Sequence, residues 1–291
     1  MTPVIDIHTH TFPDRIAAAA VAKLQAASHT ARYTDGTCAG LGASMRRAGV
    51  WRSVVLPVAT HPEQVVHIND ASIRINEETG KTGLLSFGCM HPDFEGWHAE
   101  LGRLRDAGIR GIKLHPVYQG TAIDDPRTLR LLTRAGELGL AVLVHAGLDI
   151  GYPGMELVMP KQVLRAIRQA GPVRLILAHM GGWRCWEEAA ELLAETGAGI
   201  DTAFSLGTLT PSGDGYPWTP EALRMLSPED FTALVHRFGA ERVYFGTDSP
   251  WADQAEALRA LRALSLTEAE LDRILGRNAM ELLGLEEETA S

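Results

Sequence analysis

Val4-Ile5-Asp6-Ile7 runs into His8-Thr9-His10-Thr11-Phe12-Pro13 at the start of a 291-residue chain. The apolar run reads as a buried strand, and the residues at its exit decide between two α/β architectures. A doubly wound open sheet would put a glycine-rich phosphate turn after its first strand. This exit has no glycine and carries two histidines instead.

Seven further β-branched or aliphatic runs occur, at 53–58, 84–90, 109–114, 141–144, 173–178, 198–203 and 242–246. Stretches with helical periodicity separate them, at 14–27, 42–48, 63–79, 94–107, 126–138, 161–169, 186–196 and 220–238, and two more close the chain at 254–264 and 267–283. The runs are continuously apolar rather than alternating, as expected of parallel strands covered on both faces. Eight β-then-α units without a linker or low-complexity tract predict a (β/α)8 TIM barrel, distorted, with residues 1–291 as one domain.

Composition narrows the function. Apolar residues make up 45% and charged residues 22%, enough for a full core. The net charge of −9 argues against a nucleic-acid partner, which would need an excess of cations against phosphate. The longest uncharged apolar stretch, 16–22, is too short to span a bilayer, and the opening residues lack the basic region of a secretory leader. Cys38, Cys89 and Cys185 are scattered and lack C-x-x-C spacing, so buried thiols in a reducing cytoplasm are expected. A small-molecule substrate is the expected partner, with no membrane role; a homodimer enters only by analogy of architecture.

In a barrel the site forms at the C-terminal ends of the strands. Seven of the eleven histidines fall there: His8, His10, His61, His91, His115, His145 and His179, joined by Lys113 and Asp248. Three precede proline, which holds the preceding residue extended. Strand alternation places Asp6, His8 and His10 on one face, and Lys113 with His115. Imidazoles and a carboxylate without thiolate suit a catalytic divalent ion, zinc first, with manganese, iron or cobalt as substitutes. The assigned ligands are His8, His10, His145 and Asp248, with Asp248 also moving the proton of an activated water. His179 is either a ligand of a second ion or a group that stabilises charge on the substrate. Lys113 is a bridging carbamate in a two-ion site, a salt-bridged ammonium, or a cation for a substrate carboxylate. Asp6 is either an orienting acceptor behind a ligand or a polar residue of the barrel floor.

The ordered set H-x-H, Lys, His, His, Asp resembles the amidohydrolase superfamily. Asp6-Ile7-His8-Thr9-His10, Gly111-Ile112-Lys113-Leu114-His115-Pro116, Val144-His145-Ala146-Gly147, Ala178-His179-Met180-Gly181-Gly182 and Phe245-Gly246-Thr247-Asp248-Ser249-Pro250 are similar to its amidohydrolase-related branch, as is the closing segment 274–285. That branch contains aminocarboxymuconate semialdehyde decarboxylase, resorcylate-type decarboxylases and hydrolases. The resemblance implies a metal at His8, His10, His145 and Asp248, with His179 as the catalytic histidine. One ion is implied by its decarboxylases; the likeness of the Lys113 segment to the bridging-lysine segment of dihydroorotases implies two. His115 matches neither template and is assigned to the substrate side, as is Trp251. Trp183, Trp186, Trp218 and Trp251 come after strands six to eight, and 205–220 is a long connection suited to a lid.

The activity expected first is hydrolysis of an amide, lactone or ester by metal-activated water. The alternative is a metal-dependent decarboxylase or hydratase of a small, aromatic or unsaturated carboxylic acid. A metal-dependent nuclease is disfavoured by Lys113 and the net charge. A non-catalytic metal-binding barrel would show no turnover on any substrate.

Overall fold

The computed structural model describes residues 2–213 and 216–285. Its strands are β1 (Ile5–Thr9), β2 (Arg52–Val55), β3 (Leu84–Ser86), β4 (Gly88–Cys89), β5 (Gly111–Leu114), β6 (Ala141–Val144), β7 (Leu175–Leu177), β8 (Gly199–Asp201) and β9 (Val243–Tyr244). All neighbours pair in parallel, in the orders β1-β2-β3 and β4 through β9. β9 closes onto β1 through Ile7 N–H to the Phe245 carbonyl (2.9 Å) and Asp248 N–H to the His8 carbonyl (2.8 Å). The result is a (β/α)8 barrel.

Nine strands occupy eight barrel positions because the expected run 84–90 breaks at Phe87. Its N–H still reaches the Val55 carbonyl at 3.0 Å, which carries the barrel wall across the break. The Phe87 ring packs over Gly111, where a Cβ would stand 2.7 Å from the ring. Phe87 fills the barrel centre with Ile5, Ile7, Val54, Leu143 and Ile176, and Met280 and Leu283 of the last helix belong to the same cluster. The opposite faces of the strands, including Val55, Ile112, Val142 and Leu177, pack against the surrounding helices. Covering both faces explains why these strands read as unbroken apolar runs.

Three helical stretches differ from the sequence reading. The stretch 63–79 divides into a tight turn at Pro62–Gln64, a helix at Val65–Glu77 and a single turn at Thr79–Thr82. The stretch 220–238 divides into Pro220–Leu223 and Pro228–Phe238. Ser227 is extended before Pro228, and its hydroxyl accepts the Asp230 N–H at 3.1 Å, so a new helix starts there. The stretch 267–283 continues from Glu268–Asp272 to Asn278–Leu283 through a widened turn at Arg273–Arg277. The connection 205–220 is tied down on both sides: Leu206 and Thr208 pair with Leu226 and Arg224, and Ala31 N–H reaches the Thr210 carbonyl at 2.7 Å. Within it, Asp214 and Gly215 lie outside the described residues. No helix among the described residues is long and apolar enough to cross a membrane.

Buried Asn278 anchors the last helix under the barrel by donating from Nδ2 to the Ala240 and Val243 carbonyls, both at 2.7 Å. Asn278→Ala leaves both carbonyls without that donor and is expected to destabilise the fold by ~1–3 kcal/mol. Urea unfolding checks this through a lowered midpoint at unchanged slope; an unchanged midpoint would refute the anchoring role.

Candidate active site

The site residues sit where the strands end. His8 and His10 leave β1, Lys113 lies in β5, His145 comes after β6, His179 after β7, and Asp248 after β9. Strict alternation along β1 fails. Ile5 and Ile7 point into the barrel, so Asp6 faces the helix layer, where Gln254 donates to it at 2.8 Å. Between Asp6 and Thr9, β1 advances three residues while β2 advances two, from Ser53 to Val55. This bulge turns His8 back toward the barrel centre. The expected common face of Asp6, His8 and His10 is therefore corrected: Asp6 accepts the His8 backbone N–H (3.1 Å) and the Thr247 hydroxyl (2.6 Å), and holds main chain rather than an imidazole.

Each central imidazole has one nitrogen spent on an outer acceptor. His8 Nδ1 lies 2.8 Å from Asp201 Oδ2, and His10 Nδ1 lies 2.8 Å from the Leu56 carbonyl. His179 Nδ1 meets the Ala203 carbonyl at 3.0 Å, and His145 Nε2 meets the Leu148 carbonyl at 3.1 Å. A carbonyl or carboxylate can only accept, so these nitrogens carry the protons and the others present lone pairs. The lone pairs converge. His8 Nε2 and His10 Nε2 are 3.2 Å apart and stand 3.5 and 3.0 Å from Asp248 Oδ1; His145 Nδ1 and His179 Nε2 face each other at 3.0 Å. Atoms of His8, His179 and Asp248 lie within 4.8 Å of one another. Among the described residues the one donor directed at this group is Lys113 Nζ, 3.4 Å from His8 Nε2.

The electrostatics agree with this proton count. Burial takes the His8 and His145 imidazoles well below their usual range, with Lys113 adding to the effect in both, and burial lowers His179 as well. Burial lowers Lys113 to about 8, against the opposing pull of Asp201 and Asp248. For Asp248, burial alone would raise the carboxyl, but His8 and His10 outweigh it and bring it to about 2. Neutral imidazoles and an ionised carboxylate are the protonation states a metal requires. His179 and Asp248 also hold left-handed backbone, at φ 61° and 66°. For non-glycine residues that conformation is strained, and such strain clusters at functional sites.

Other expected residues lie apart. His61 is exposed, and buried His91 accepts the Asp93 N–H at 3.1 Å, capping a turn. His115 has both ring faces covered, by Tyr118 (3.7 Å between centroids) and by His145 (4.3 Å). Trp251 is half-buried in the turn after Asp248, whose carbonyl accepts its N–H at 2.9 Å. Trp183, Trp186 and Trp218 form an apolar cluster with Phe204, whose ring stands 6.5 Å from that of His179.

Asp201 and Asp149 were missed by sequence reasoning. Asp201 ends β8, and its position at a strand exit was a usable signal. Asp149 lies in an irregular loop where the sequence gives none.

The chain belongs to the Amidohydrolase family, whose match covers residues 5–285. Among solved structures it is similar to an uncharacterised TIM-barrel protein of Bordetella bronchiseptica, at 16% identity and TM-score 0.74 over 97% of this chain and 98% of that one. It is also similar to a dihydroxybenzoic acid decarboxylase of Polaromonas, at 14% identity and TM-score 0.66 over 98% and 97% of the two chains. A third is a Pseudomonas putida protein assigned as a 2-pyrone-4,6-dicarboxylic acid hydrolase, at 19% identity and TM-score 0.64 over 98% and 99%. These likenesses establish the shared fold. No curated protein matches the sequence. The protein is an amidohydrolase-family enzyme, and its donor set fits a divalent metal.

Asp201 uses both oxygens as acceptors: Oδ2 for His8, and Oδ1 for the N–H groups of His179 (2.9 Å) and Ala203 (3.1 Å). Asp201→Asn must turn an amide N–H toward one of these donors. Metal affinity, read by chelator competition, is expected to fall about 10–100-fold. An unchanged affinity would show that Asp201 does not set the His8 tautomer.

Proposed function

We propose that this protein is a metal-dependent carboxy-lyase for a small, flat carboxylic acid, with one divalent ion held by His8, His10, His145 and Asp248. The reading is carried by lone pairs that meet with no proton among them, beside a single buried ammonium. Its supports also include the decarboxylase of the same fold, which holds manganese together with 2-nitroresorcinol. The thiolate-free donor set suits zinc as well as manganese. Hydrolysis, expected first from the sequence, becomes the second reading, supported by the fold shared with the assigned 2-pyrone-4,6-dicarboxylic acid hydrolase.

When bound, a divalent ion would act as a Lewis acid that neutralises charge on substrate oxygens. The Lys113 ammonium, inside the barrel, supplies a fixed cation for the substrate carboxylate. Loss of CO2 breaks the carbon–carboxylate bond and leaves the electron pair on carbon, which must take up one proton. Because its Nδ1–H is held by the Ala203 carbonyl, His179 presents the Nε2 lone pair to the site; Nε2 would take up a proton from a substrate hydroxyl or from water and pass it to that carbon. Phe204 beside His179 gives the substrate ring an apolar neighbour and keeps water away.

Protein purified without chelator is expected to carry about one metal ion per chain, to lose turnover when stripped, and to regain it with Zn²⁺ or Mn²⁺. A panel of hydroxybenzoates and lactones should release CO2 from the former; acid release from lactones alone would establish the hydrolytic reading instead. His179→Asn should keep its metal and lower kcat by about 10²–10⁴-fold. Loss of the ion from that variant would make His179 a ligand rather than the proton carrier.

A further inference from the structure

Behind His145, away from His179, lies a second group: buried His115 and Asp149, and half-buried Tyr118. Asp149 Oδ2 stands 3.6 Å from His115 Nε2 and 3.7 Å from His145 Nε2, at ion-pair distance from both. Asp149 Oδ1 accepts the Gly151 N–H at 2.8 Å.

The proton count separates two uses of this group. His115, His145 and Asp149 could hold an ion of their own, since their ligand atoms lie within 4.8 Å of one another. That would require lone pairs on both Nε2 atoms. His145 Nε2 already donates to the Leu148 carbonyl, and His115 Nδ1 accepts the Tyr118 N–H at 3.4 Å, which leaves the His115 proton on Nε2. Both Nε2 atoms therefore carry hydrogen and stand 3.6 and 3.7 Å from one carboxylate oxygen, which is an anion's environment and not a cation's. Asp149 is already that anion.

We infer that Asp149 is a positioning residue for His145: its negative charge, 3.7 Å from Nε2, adds to the Leu148 carbonyl in favouring the proton there and so keeps the Nδ1 lone pair turned to the metal centre. His115, stacked 12° from parallel on His145 and 18° from parallel on Tyr118, fixes the ring plane and shares the same carboxylate. The assignment rests on the metal-centre reading above and extends it to a loop residue. It also gives His115 a role from behind the ligand, in place of one facing substrate.

Asp149→Asn tests it. An amide has a single acceptor oxygen, so its N–H₂ must face either the Gly151 N–H or the two imidazoles. Zn²⁺ affinity by competition with a chromogenic chelator should weaken about tenfold or more, within the 10–100-fold range of such outer partners. The ion count at saturation and the melting temperature of the stripped protein should stay at wild-type values, and Asp149→Glu should recover part of the affinity. Wild-type affinity in Asp149→Asn would overturn the inference, as would a fall from two ions per chain to one, which would make Asp149 a ligand. An equal loss of stability in the stripped variants would reduce it to a structural role. If wild-type protein itself binds no Zn²⁺, the metal reading fails instead.

Discussion

Protons, more than positions, organise this molecule. Four imidazoles each give one N–H to an outer acceptor, and those acceptors are fixed by the barrel: the Leu56, Ala203 and Leu148 carbonyls and the Asp201 carboxylate. Once these bonds form, the inner nitrogens have no choice of tautomer. Lone pairs packed 3.0–3.2 Å apart repel, and unpaired buried polar groups are costly. The arrangement is thus a standing electrostatic demand for a cation, built by the same hydrogen bonds that hold the strand exits in place.

The parts legible in the sequence are those that depend on periodicity and residue type. Continuous apolar runs announced two-sided burial, and the missing glycine after Ile7 separated barrel from open sheet. His8, His10, Lys113, His145, His179 and Asp248 could be placed at strand exits because the runs define where each strand ends. Asp6 was put on the face of His8 because the one-residue bulge that turns His8 inward leaves no mark in the pattern of β1. The split at Phe87 was hidden for a similar reason: a large apolar residue reads as strand whether or not it leaves the ladder. The acceptors behind the imidazoles were invisible for a deeper one, since three of the four are main-chain carbonyls, which every residue carries.

Stability and function are in tension at these exits. The run His179, Met180, Gly181, Gly182 has positive φ at every position, and Asp248 repeats this after β9. Each strained non-glycine residue costs about 1–3 kcal/mol. The surrounding structure over-determines the conformation: Met180 N–H bonds the Asp201 carbonyl at 2.7 Å, and Asp248 N–H bonds the His8 carbonyl at 2.8 Å. Both bonds tie a site residue's own turn to the neighbouring strand, so the side chains are aimed by the barrel wall and not by mobile loops.

Charge balance then links the lysine to the ion. Asp248, Asp201 and Asp149 bring three carboxylates to the centre, and Lys113 as an ammonium leaves two negative charges uncompensated among neutral imidazoles. One divalent ion restores neutrality. A carbamate at Lys113 would raise the deficit to four and demand two ions. Either pairing is neutral, whereas a carbamate with one ion, or an ammonium with two, leaves a buried net charge of two, which a low-dielectric interior penalises heavily. Lysine chemistry and ion number are therefore a single variable. Lys113 Nζ lies 3.4 Å from the His8 Nε2 lone pair, a contact that an ammonium hydrogen satisfies. In the one-ion reading proposed above, a cationic lysine remains available to a substrate carboxylate.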